Sequence, residues 1–339
     1  MEMIIANNFI IYISTIIASL SYCYYISSKI PRGIYRFISI VPVLYVFTIL
    51  PLRCSFVFPT AVTFSFTTWL TNFKLIRFAF DLDHSPYHPS YSLLQFITFT
   101  SLPIKTRITN STSLNSSPNR FQFKLLFQML IFFLLVKTTL NYKLHPKILS
   151  FIYGWLLFFL IDIVAALSNA MLFLVTGLEL EPSSDHPYIA SSLQNFWGRW
   201  NLLVTNTMRH TVYKPVVLVF SNYKWAPLVG ILVSFLVSGL MHELFIYQLT
   251  RAAPTWEMTL FFVVHGVCVV VEMMVKRALT GGRWRLPDFV ARLLTVGFIM
   301  MTGVLWFVPP YVRAGIDVRM LKEYRSFVNF IKAKFSQIL

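Results

Sequence analysis

Long apolar runs separated by polar connections dominate the chain. A helix needs roughly 20 apolar residues to cross a bilayer core about 30 Å thick, and only helices or closed barrels can satisfy their backbone there. Runs of this kind cover residues 4–26, 34–52, 55–73, 122–140, 148–176, 226–250, 256–278 and 289–308. The pattern predicts an all-α, polytopic membrane helical bundle of about eight transmembrane spans, forming a single membrane-embedded domain over residues 1–339.

Two long connections interrupt these runs. Residues 81–121 are rich in Ser, Thr, Asn and Pro, a composition typical of a polar, mobile loop. Residues 177–225 differ, because they mix aromatic residues with Arg and Asn, as in "SSLQNFWGRWNLLVTNTMRHTVYKP". We expect this second connection to form a structured re-entrant or interfacial segment on the cytosolic side.

Composition supports the membrane assignment. Of 339 residues, 56% are hydrophobic and only 12% are charged, too few charges to cover a soluble surface. The three cysteines form no CxxC pair, so neither a disulfide framework nor a metal site is expected. The net charge of +16 comes from basic residues between the spans. We interpret them as topology signals and contacts to anionic lipid headgroups rather than to nucleic acid.

The run 226–250 carries two adjacent ionisable residues, His242 and Glu243, in "LVSGLMHELFIY". Such groups at membrane depth cost at least about 2.5 kcal/mol each, so each needs an explanation. Ser234, Ser238 and His242 recur every four residues and therefore share one helix face, whereas Glu243 projects about 100° away. His242 is either a general base kept neutral by apolar surroundings or a buried histidine that bonds a facing helix.

Other polar residues in the spans favour structural roles. His265 and Glu272 share a face of the run 256–278, and Glu272 with Lys276 has the spacing of a helical ion pair. No serine stripe accompanies His265, so we interpret it as structural. Asp162 and Asn169 share a face of the run 148–176, where hydrogen bonds between helices are the expected role.

Several familiar catalytic motifs are missing from the sequence. It has no GxSxG elbow, HExxH pair, Walker loop or dinucleotide fingerprint. No cysteine lies near His242 in sequence, so a covalent acyl-enzyme has no evident nucleophile. A base at His242 would therefore activate a hydroxyl supplied by the substrate.

Several motifs in a fixed order point to a known family. "NFWGRWN" is followed about 40 residues later by "SGLMHELF". "WLTNFKLIRFAFD" (69–81), "LPIK" (102–105), "LELEP" (178–182) and "GRWRLP" (282–287) accompany them. With these motifs the chain resembles the plant wax synthase group of the membrane-bound O-acyltransferases along most of its length.

The resemblance implies transfer of an acyl group from acyl-CoA to a lipid hydroxyl at the endoplasmic reticulum, with acyl-CoA as co-substrate and no cofactor. It implies that His242 and Asn201 are catalytic, the second as a hydrogen-bond donor to the thioester carbonyl or oxyanion. The motif aromatics and their neighbours are the expected substrate-binding residues: Phe196, Trp197, Trp200, Arg199, Ser238 and Glu243. Arg199 would meet the phosphates of CoA, and Glu243 would mainly brace the site.

One motif departs from the family pattern. The wax synthase motif usually reads FWGRRWN, whereas this chain has "FWGRWN". On a continuous helix, removal of one residue rotates everything after it by about 100°. Asn201 is then expected to shift relative to Phe196 and Trp197, unless the turn tightens.

The acceptor stays open, because the shape of the substrate cavity selects it. A long-chain fatty alcohol is the leading acceptor, and a sterol or a diacylglycerol is the alternative acceptor within the family. A short acyl donor such as acetyl-CoA is an alternative to the fatty acyl donor. From another class, a membrane transporter could use the buried His–Glu pair as a proton relay, although neither inverted repeats nor paired broken helices are recognisable. A catalytically silent lipid-binding relative is the third alternative.

Overall fold

The computed structural model describes residues 2–82, 92–102, 118–176, 184–279 and 286–336. Over these ranges the chain is helical and has no strand. The first seven helices are α1 (Glu2–Tyr25), α2 (Ile34–Ile49), α3 (Val57–Thr63), α4 (Asn72–Phe80), α5 (Leu93–Ser101), α6 (Pro118–Asn141) and α7 (Pro146–Thr176). The remaining eight are α8 (Leu193–Arg199), α9 (Leu202–Met208), α10 (Lys214–Val219), α11 (Ala226–Thr250), α12 (Glu257–Ala278), α13 (Asp288–Thr302), α14 (Pro309–Arg313) and α15 (Ile316–Ser336).

The described helices confirm the all-α membrane bundle. Six segments are long and apolar enough to cross a bilayer: Ile10–Lys29, Ile34–Arg53, Pro146–Leu167, Ala226–Thr250, Glu257–Ala278 and Asp288–Arg313. The two other predicted spans also coincide with helical chain. The run 55–73 falls on α3 and the segment that follows it, and 122–140 falls on α6.

The predicted polar loop 81–121 contains a helix, α5, so it is not a loop throughout. Ser92 accepts a hydrogen bond from the Gln95 backbone, and Gln95 accepts one from the Ser92 backbone, which forms a capping box. At the other end, the buried Lys74 ammonium donates to the carbonyls of Phe99 and Leu102, both at 2.5 Å. The Ser/Thr content of the loop concealed the short apolar run that α5 packs against α1.

Helices α11 and α12 form the most extensive helix pair in the described structure. Two glycines allow their close approach. A Cβ on Gly239 would lie 2.7 Å from Thr259 Cα, and a Cβ on Gly266 would lie 2.8 Å from Phe235 Cβ. Small residues at such crossings let helix backbones pack closely in membranes, where the hydrophobic effect contributes little to association.

Within the described ranges, three π-helical segments interrupt the regular helices: Phe64–Thr71, Arg209–Tyr213 and Gly303–Phe307. The first connects α3 directly to α4, and the third connects α13 to the turn before α14. A π-helical turn holds more residues than an α-helical turn, so it changes the direction in which later side chains project. Two of these segments supply side chains to the site described below.

Three buried or partly buried glutamates stabilise the starts of helices from elsewhere in the chain. Glu243 accepts from the backbone N–H groups of Met258 and Thr259 at the start of α12. In the same way Glu272 accepts from the first N–H of α8, and Glu323 from the first N–H of α3. Negative charge is favourable at a helix N-terminus, where N–H groups lack intrahelical partners.

Candidate active site

His242 lies on α11 within a cluster of aromatic rings. Its ring centroid is 4.6 Å from that of Phe262 in a stacked arrangement. Trp69 and Phe307 meet it edge-on, with centroids at 5.3 Å and 5.4 Å. We call these four residues the His242 ring cluster. The Nδ1 atom of His242 is buried and has no hydrogen-bond partner among the described residues.

Four separate elements build the His242 ring cluster. His242 and Phe262 come from the closely packed helices α11 and α12. Trp69 comes from the π-helical segment Phe64–Thr71 and Phe307 from the segment Gly303–Phe307. The sequence reasoning did not identify Phe262, Phe307 or the proximity of Trp69. Only the motif "WLTNFKL", which begins at Trp69, offered a signal.

Glu243 turns away from the ring cluster, as its position next to His242 on a helix requires. The residue is 3% exposed, and its Oε1 atom accepts from the N–H groups of Met258 at 3.0 Å and Thr259 at 3.3 Å. The carboxylate therefore caps α12 and joins it to α11. Its contact with substrate stays a prediction, as does that of Ser238, which is buried on the same helix.

His265 is the second buried histidine of the region, and both of its ring nitrogens have partners. Nδ1 is 2.7 Å from the carbonyl oxygen of Phe261, so it must carry the proton and donate. Nε2 lies 3.2 Å from the hydroxyl oxygen of Thr302 on α13. This geometry fits the structural interpretation of His265, which stays a prediction. The expected Glu272–Lys276 ion pair is also present, with Nζ 2.5 Å from the carboxylate.

Asn201 lies in a break between two short helices. Helix α8 ends at Arg199, Trp200 is extended, and Asn201 has a left-handed backbone with φ 40°. Asparagine tolerates this conformation better than most residues, and its Oδ1 atom accepts from the Val204 N–H at 3.2 Å to cap α9. The motif "FWGRWN" is therefore not one continuous helix. The arginine that it lacks relative to the family pattern falls at the interruption between α8 and α9, so the expected rotation of about 100° does not apply.

The aromatic residues of the motif diverge into two groups. Trp200 stacks between Phe196 and Phe158, with centroids 5.5 Å and 5.3 Å away. Trp197 instead packs 5.6 Å from Phe262, which itself stacks on His242. Of the motif aromatics, Trp197 is thus the one connected to the His242 ring cluster through a shared neighbour.

A small pocket includes Asn201 in its lining, together with Phe158, Ile161, Asp162, Ser184 and Trp200. Asp162 is buried there and accepts from Gln128 Nε2 on α6 at 3.0 Å and from the Ser184 hydroxyl at 2.9 Å. The bond to Gln128 confirms the predicted helix-to-helix role of Asp162. The side chain of Asn169, predicted to act similarly, lies outside the described residues.

Arg199 is half-buried and tied to Asp185. Its Nη1 atom lies 3.5 Å from the Asp185 carboxylate, and the Asp185 N–H donates to the Arg199 carbonyl at 2.9 Å. These contacts hold the chain before α8, at Asp185, against the end of α8, at Arg199. A contact between Arg199 and CoA stays a prediction.

The His242 ring cluster offers specific chemistry. A neutral imidazole with an unpaired Nδ1 can accept a proton from a hydroxyl that enters the cluster. The surrounding aromatic carbon excludes water, which strengthens electrostatic interactions. No group of three or more His, Cys, Asp or Glu that could hold a metal ion occurs among the described residues.

Comparison with known proteins agrees with these features. Residues 180–264 match the model of the "Membrane bound O-acyl transferase family", a range that contains Asn201, His242 and Phe262. The chain is 40% identical to "Probable long-chain-alcohol O-fatty-acyltransferase 9" of Arabidopsis thaliana over 99% of each chain. It is 39% identical to "Long-chain-alcohol O-fatty-acyltransferase" of Simmondsia chinensis over 95% of each chain.

A relative with a different named acceptor is almost as similar. "Acyl-CoA--sterol O-acyltransferase 1" of Arabidopsis thaliana is 35% identical over 93% of each chain. Relatives of this identity that cover nearly the whole chain, together with the matching family model, show its membership. The protein is an acyltransferase that belongs to the membrane bound O-acyl transferase family, in its plant wax synthase group.

Proposed function

We propose that the protein transfers a fatty acyl group from acyl-CoA to a long-chain alcohol and so forms a wax ester, with His242 as general base. The observation that carries the proposal is the buried, unpartnered Nδ1 of His242 inside an aromatic cluster. A group with unused hydrogen-bonding capacity in such surroundings is suited to a substrate hydroxyl. The relatives named for long-chain alcohols support the choice of acceptor.

The proposed reaction needs no cofactor, since a thioester is already an activated acyl donor. His242 Nδ1 accepts the hydroxyl proton as the alcohol oxygen attacks the thioester carbonyl carbon. The tetrahedral intermediate collapses, the C–S bond breaks, and the CoA sulfur receives the proton from His242. The products are the ester and free CoA, and the imidazole returns to its neutral form.

Substrate entry follows from the chemistry of each molecule. An alcohol and an acyl chain are apolar and can reach the His242 ring cluster from the bilayer. CoA is anionic, so basic residues in or near the motif "NFWGRWN", such as Arg199, would contact its phosphates. We place the protein in the endoplasmic reticulum membrane, where acyl-CoA and lipid alcohols meet.

Expression in a yeast that lacks its neutral-lipid acyltransferases tests the proposal. Microsomes are assayed with labelled acyl-CoA and, in parallel, a long-chain alcohol, a sterol or diacylglycerol. We expect wax ester formation with the wild type and a loss with His242→Ala at matched abundance. Full activity of His242→Ala would refute the role of His242 as general base. Absence of any ester with the wild type would refute the proposed acyl transfer to these acceptors.

A sterol acceptor is the second candidate, because the sterol acyltransferase relative is 35% identical over 93% of the chain. Both reactions use the same base and the same acyl donor, so they differ only in which hydroxyl reaches His242. A preference for sterol over long-chain alcohol in the microsomal assay would assign this second activity.

A further inference from the structure

Trp69 presents a second unused polar group beside His242. Its side chain is buried, with 8% of the residue exposed, and its Nε1 atom is shielded without a partner among the described residues. The same holds for the Nδ1 atom of His242, whose ring centroid is 5.3 Å away. Buried polar atoms are almost always hydrogen-bonded. Other buried side-chain atoms also lack a described partner, but these two lie on rings in direct contact, and this pairing points to a shared function.

The backbone that carries Trp69 is also unusual. Trp69 lies in the π-helical segment Phe64–Thr71, and π-helical turns are rare and frequently occur at functional sites. Neighbouring hydroxyls are satisfied, since Thr67 and Thr68 both donate to the carbonyl of Phe47, at 3.2 Å and 2.8 Å. The segment is therefore held firmly against α2, and the indole N–H is left available.

The two unpaired groups are complementary to the two reacting partners. Nδ1 of His242 is an acceptor in the tautomer that carries the proton on Nε2, and it then suits the alcohol O–H, whereas the indole N–H of Trp69 can only donate. The thioester carbonyl oxygen is an acceptor, and it gains negative charge as the alcohol attacks. Donors fixed before the reaction at such an oxygen stabilise the transition state more than the ground state.

We propose that the Trp69 indole N–H donates a hydrogen bond to the thioester carbonyl oxygen of the acyl donor and stabilises the oxyanion. This inference rests on the proposed acyl transfer. The carbonyl electron pair moves onto the oxygen that Trp69 contacts as the C–O bond forms and His242 takes the proton. The pair then reforms the carbonyl as the C–S bond breaks and the sulfur is protonated by His242.

Two other donors differ from Trp69 in their contacts. Asn201, the donor implied by the family resemblance, caps α9 through its amide oxygen, which does not use its amide N–H groups, and lines the pocket beside Asp162. Trp197 also has a buried Nε1 without a described partner, but its ring contacts His265 and Phe262. Trp69 is the indole whose ring contacts His242 itself.

Trp69→Phe tests the assignment, because it keeps an aromatic ring and removes the N–H. We expect kcat to fall roughly 10²-fold, the size typical for loss of one oxyanion donor, with a smaller, several-fold rise in KM for acyl-CoA. Trp155→Phe is the matched control, since Trp155 packs against Phe158 and Phe159 on α7. It should keep wild-type kcat and KM.

Equilibrium binding of two unreactive CoA analogues separates hydrogen bonding from packing. One is a ketone analogue that keeps the carbonyl and replaces sulfur by CH₂, and the other is a thioether that lacks the carbonyl. The wild type should bind the ketone several-fold more tightly than the thioether, and Trp69→Phe should abolish that preference. If Trp69→Phe does not accumulate, Trp69→Leu serves equally, because the ratio is taken within one variant.

The outcomes distinguish the two proposals. An unchanged kcat in Trp69→Phe, or equal losses of affinity for both analogues, would overturn the role of Trp69. Absence of ester formation by the wild type would instead defeat the proposed function, whereas binding of the two analogues would still be measurable. If His242→Ala is active and Trp69→Phe loses the preference for the ketone, His242 is not the general base, whereas Trp69 is supported as the hydrogen-bond donor.

Discussion

His242 and His265 lie on neighbouring helices, and both are surrounded by aromatic rings, yet their hydrogen bonding differs. His265 has partners at both ring nitrogens, the Phe261 carbonyl at 2.7 Å and the Thr302 hydroxyl at 3.2 Å. His242 has a buried Nδ1 without a described partner, and Trp69 beside it has a buried N–H in the same condition. Burial is therefore common to both histidines, and the unused hydrogen-bonding capacity of His242 is the difference on which its proposed role as a base depends.

The difference has a cost and a cause. A buried polar group without a partner costs about 1–3 kcal/mol. His265 reaches a backbone carbonyl one turn earlier on its own helix and a hydroxyl on α13. His242 faces the aromatic carbon of Phe262 and Phe307 instead. A substrate hydroxyl would supply the missing partner.

Alanine substitution of each histidine should give opposite results. We expect His242→Ala to lower kcat by about 10²–10⁴-fold, the usual contribution of a positioned base, with a smaller loss of stability than His265→Ala, because an unpartnered polar atom is removed together with the packed ring. His265→Ala should lower the stability by about 2–5 kcal/mol, as a buried side chain is lost, and keep its activity per folded molecule. Ester formation and thermal unfolding are measured on both variants. Loss of activity in His265→Ala together with full activity in His242→Ala would assign the base to His265 instead.

The next effect concerns the distance between the helices that carry the two histidines. Gly239→Ala places a methyl group 2.7 Å from Thr259 Cα, so α11 and α12 must separate. We expect a loss of about 1–3 kcal/mol from overpacking, and a loss of roughly 10²-fold in kcat if His242 moves by about 1 Å. Gly297→Ala is the control, since no atom lies within 4 Å of its added Cβ. Equal behaviour of the two variants in both assays would contradict the close packing.

Glu243→Ala should affect stability more than chemistry. The carboxylate caps α12 through the Met258 and Thr259 N–H groups, and loss of such a cap costs about 0.5–2 kcal/mol. Glu243→Gln keeps one acceptor oxygen and should lose less. Thermal unfolding with kcat and KM on both variants is the measurement. A large loss of kcat at unchanged stability would assign Glu243 to the substrate rather than to the helix cap.

The smallest effect on activity is expected from Thr302→Val. It removes the hydroxyl beside Nε2 of His265 and keeps the shape of the side chain. The buried Nε2 then lacks this partner, which costs about 1–3 kcal/mol of stability, and activity should not change. Thermal unfolding and the ester assay would show this. A loss of activity would mean that His265 communicates with the reaction.

Much of the fold and part of the site could be predicted. Apolar length located six of the membrane-crossing segments and the helix that carries His242. Spacing separated His242 from Glu243, and the absence of a serine stripe marked His265 as structural. The Glu272–Lys276 pair followed from i,i+4 spacing, because both residues lie on one helix.

The rest depended on contacts that spacing does not encode. Trp69 and Phe307 reach His242 through π-helical segments, which redirect side chains without a recognisable sequence signal. The shift of Asn201 was expected on the condition that the motif forms a continuous helix. Helix α8 instead ends at Arg199, and Asn201 takes a left-handed conformation. A helix inside residues 81–121 was missed for a similar reason, because a capping box and Lys74 stabilise it.

By itself the sequence determined the class of the protein, the positions of its apolar helices, and which ionisable residues lie inside them, because these depend on composition and local periodicity. Only the tertiary structure decided which of those residues are satisfied. Hydrogen-bond partners and ring contacts come largely from helices distant in sequence, so His242 Nδ1 and Trp69 Nε1 have no partner in the described part of the chain, whereas His265 and Glu243 are hydrogen-bonded. That assignment of partners is what makes one histidine available for chemistry.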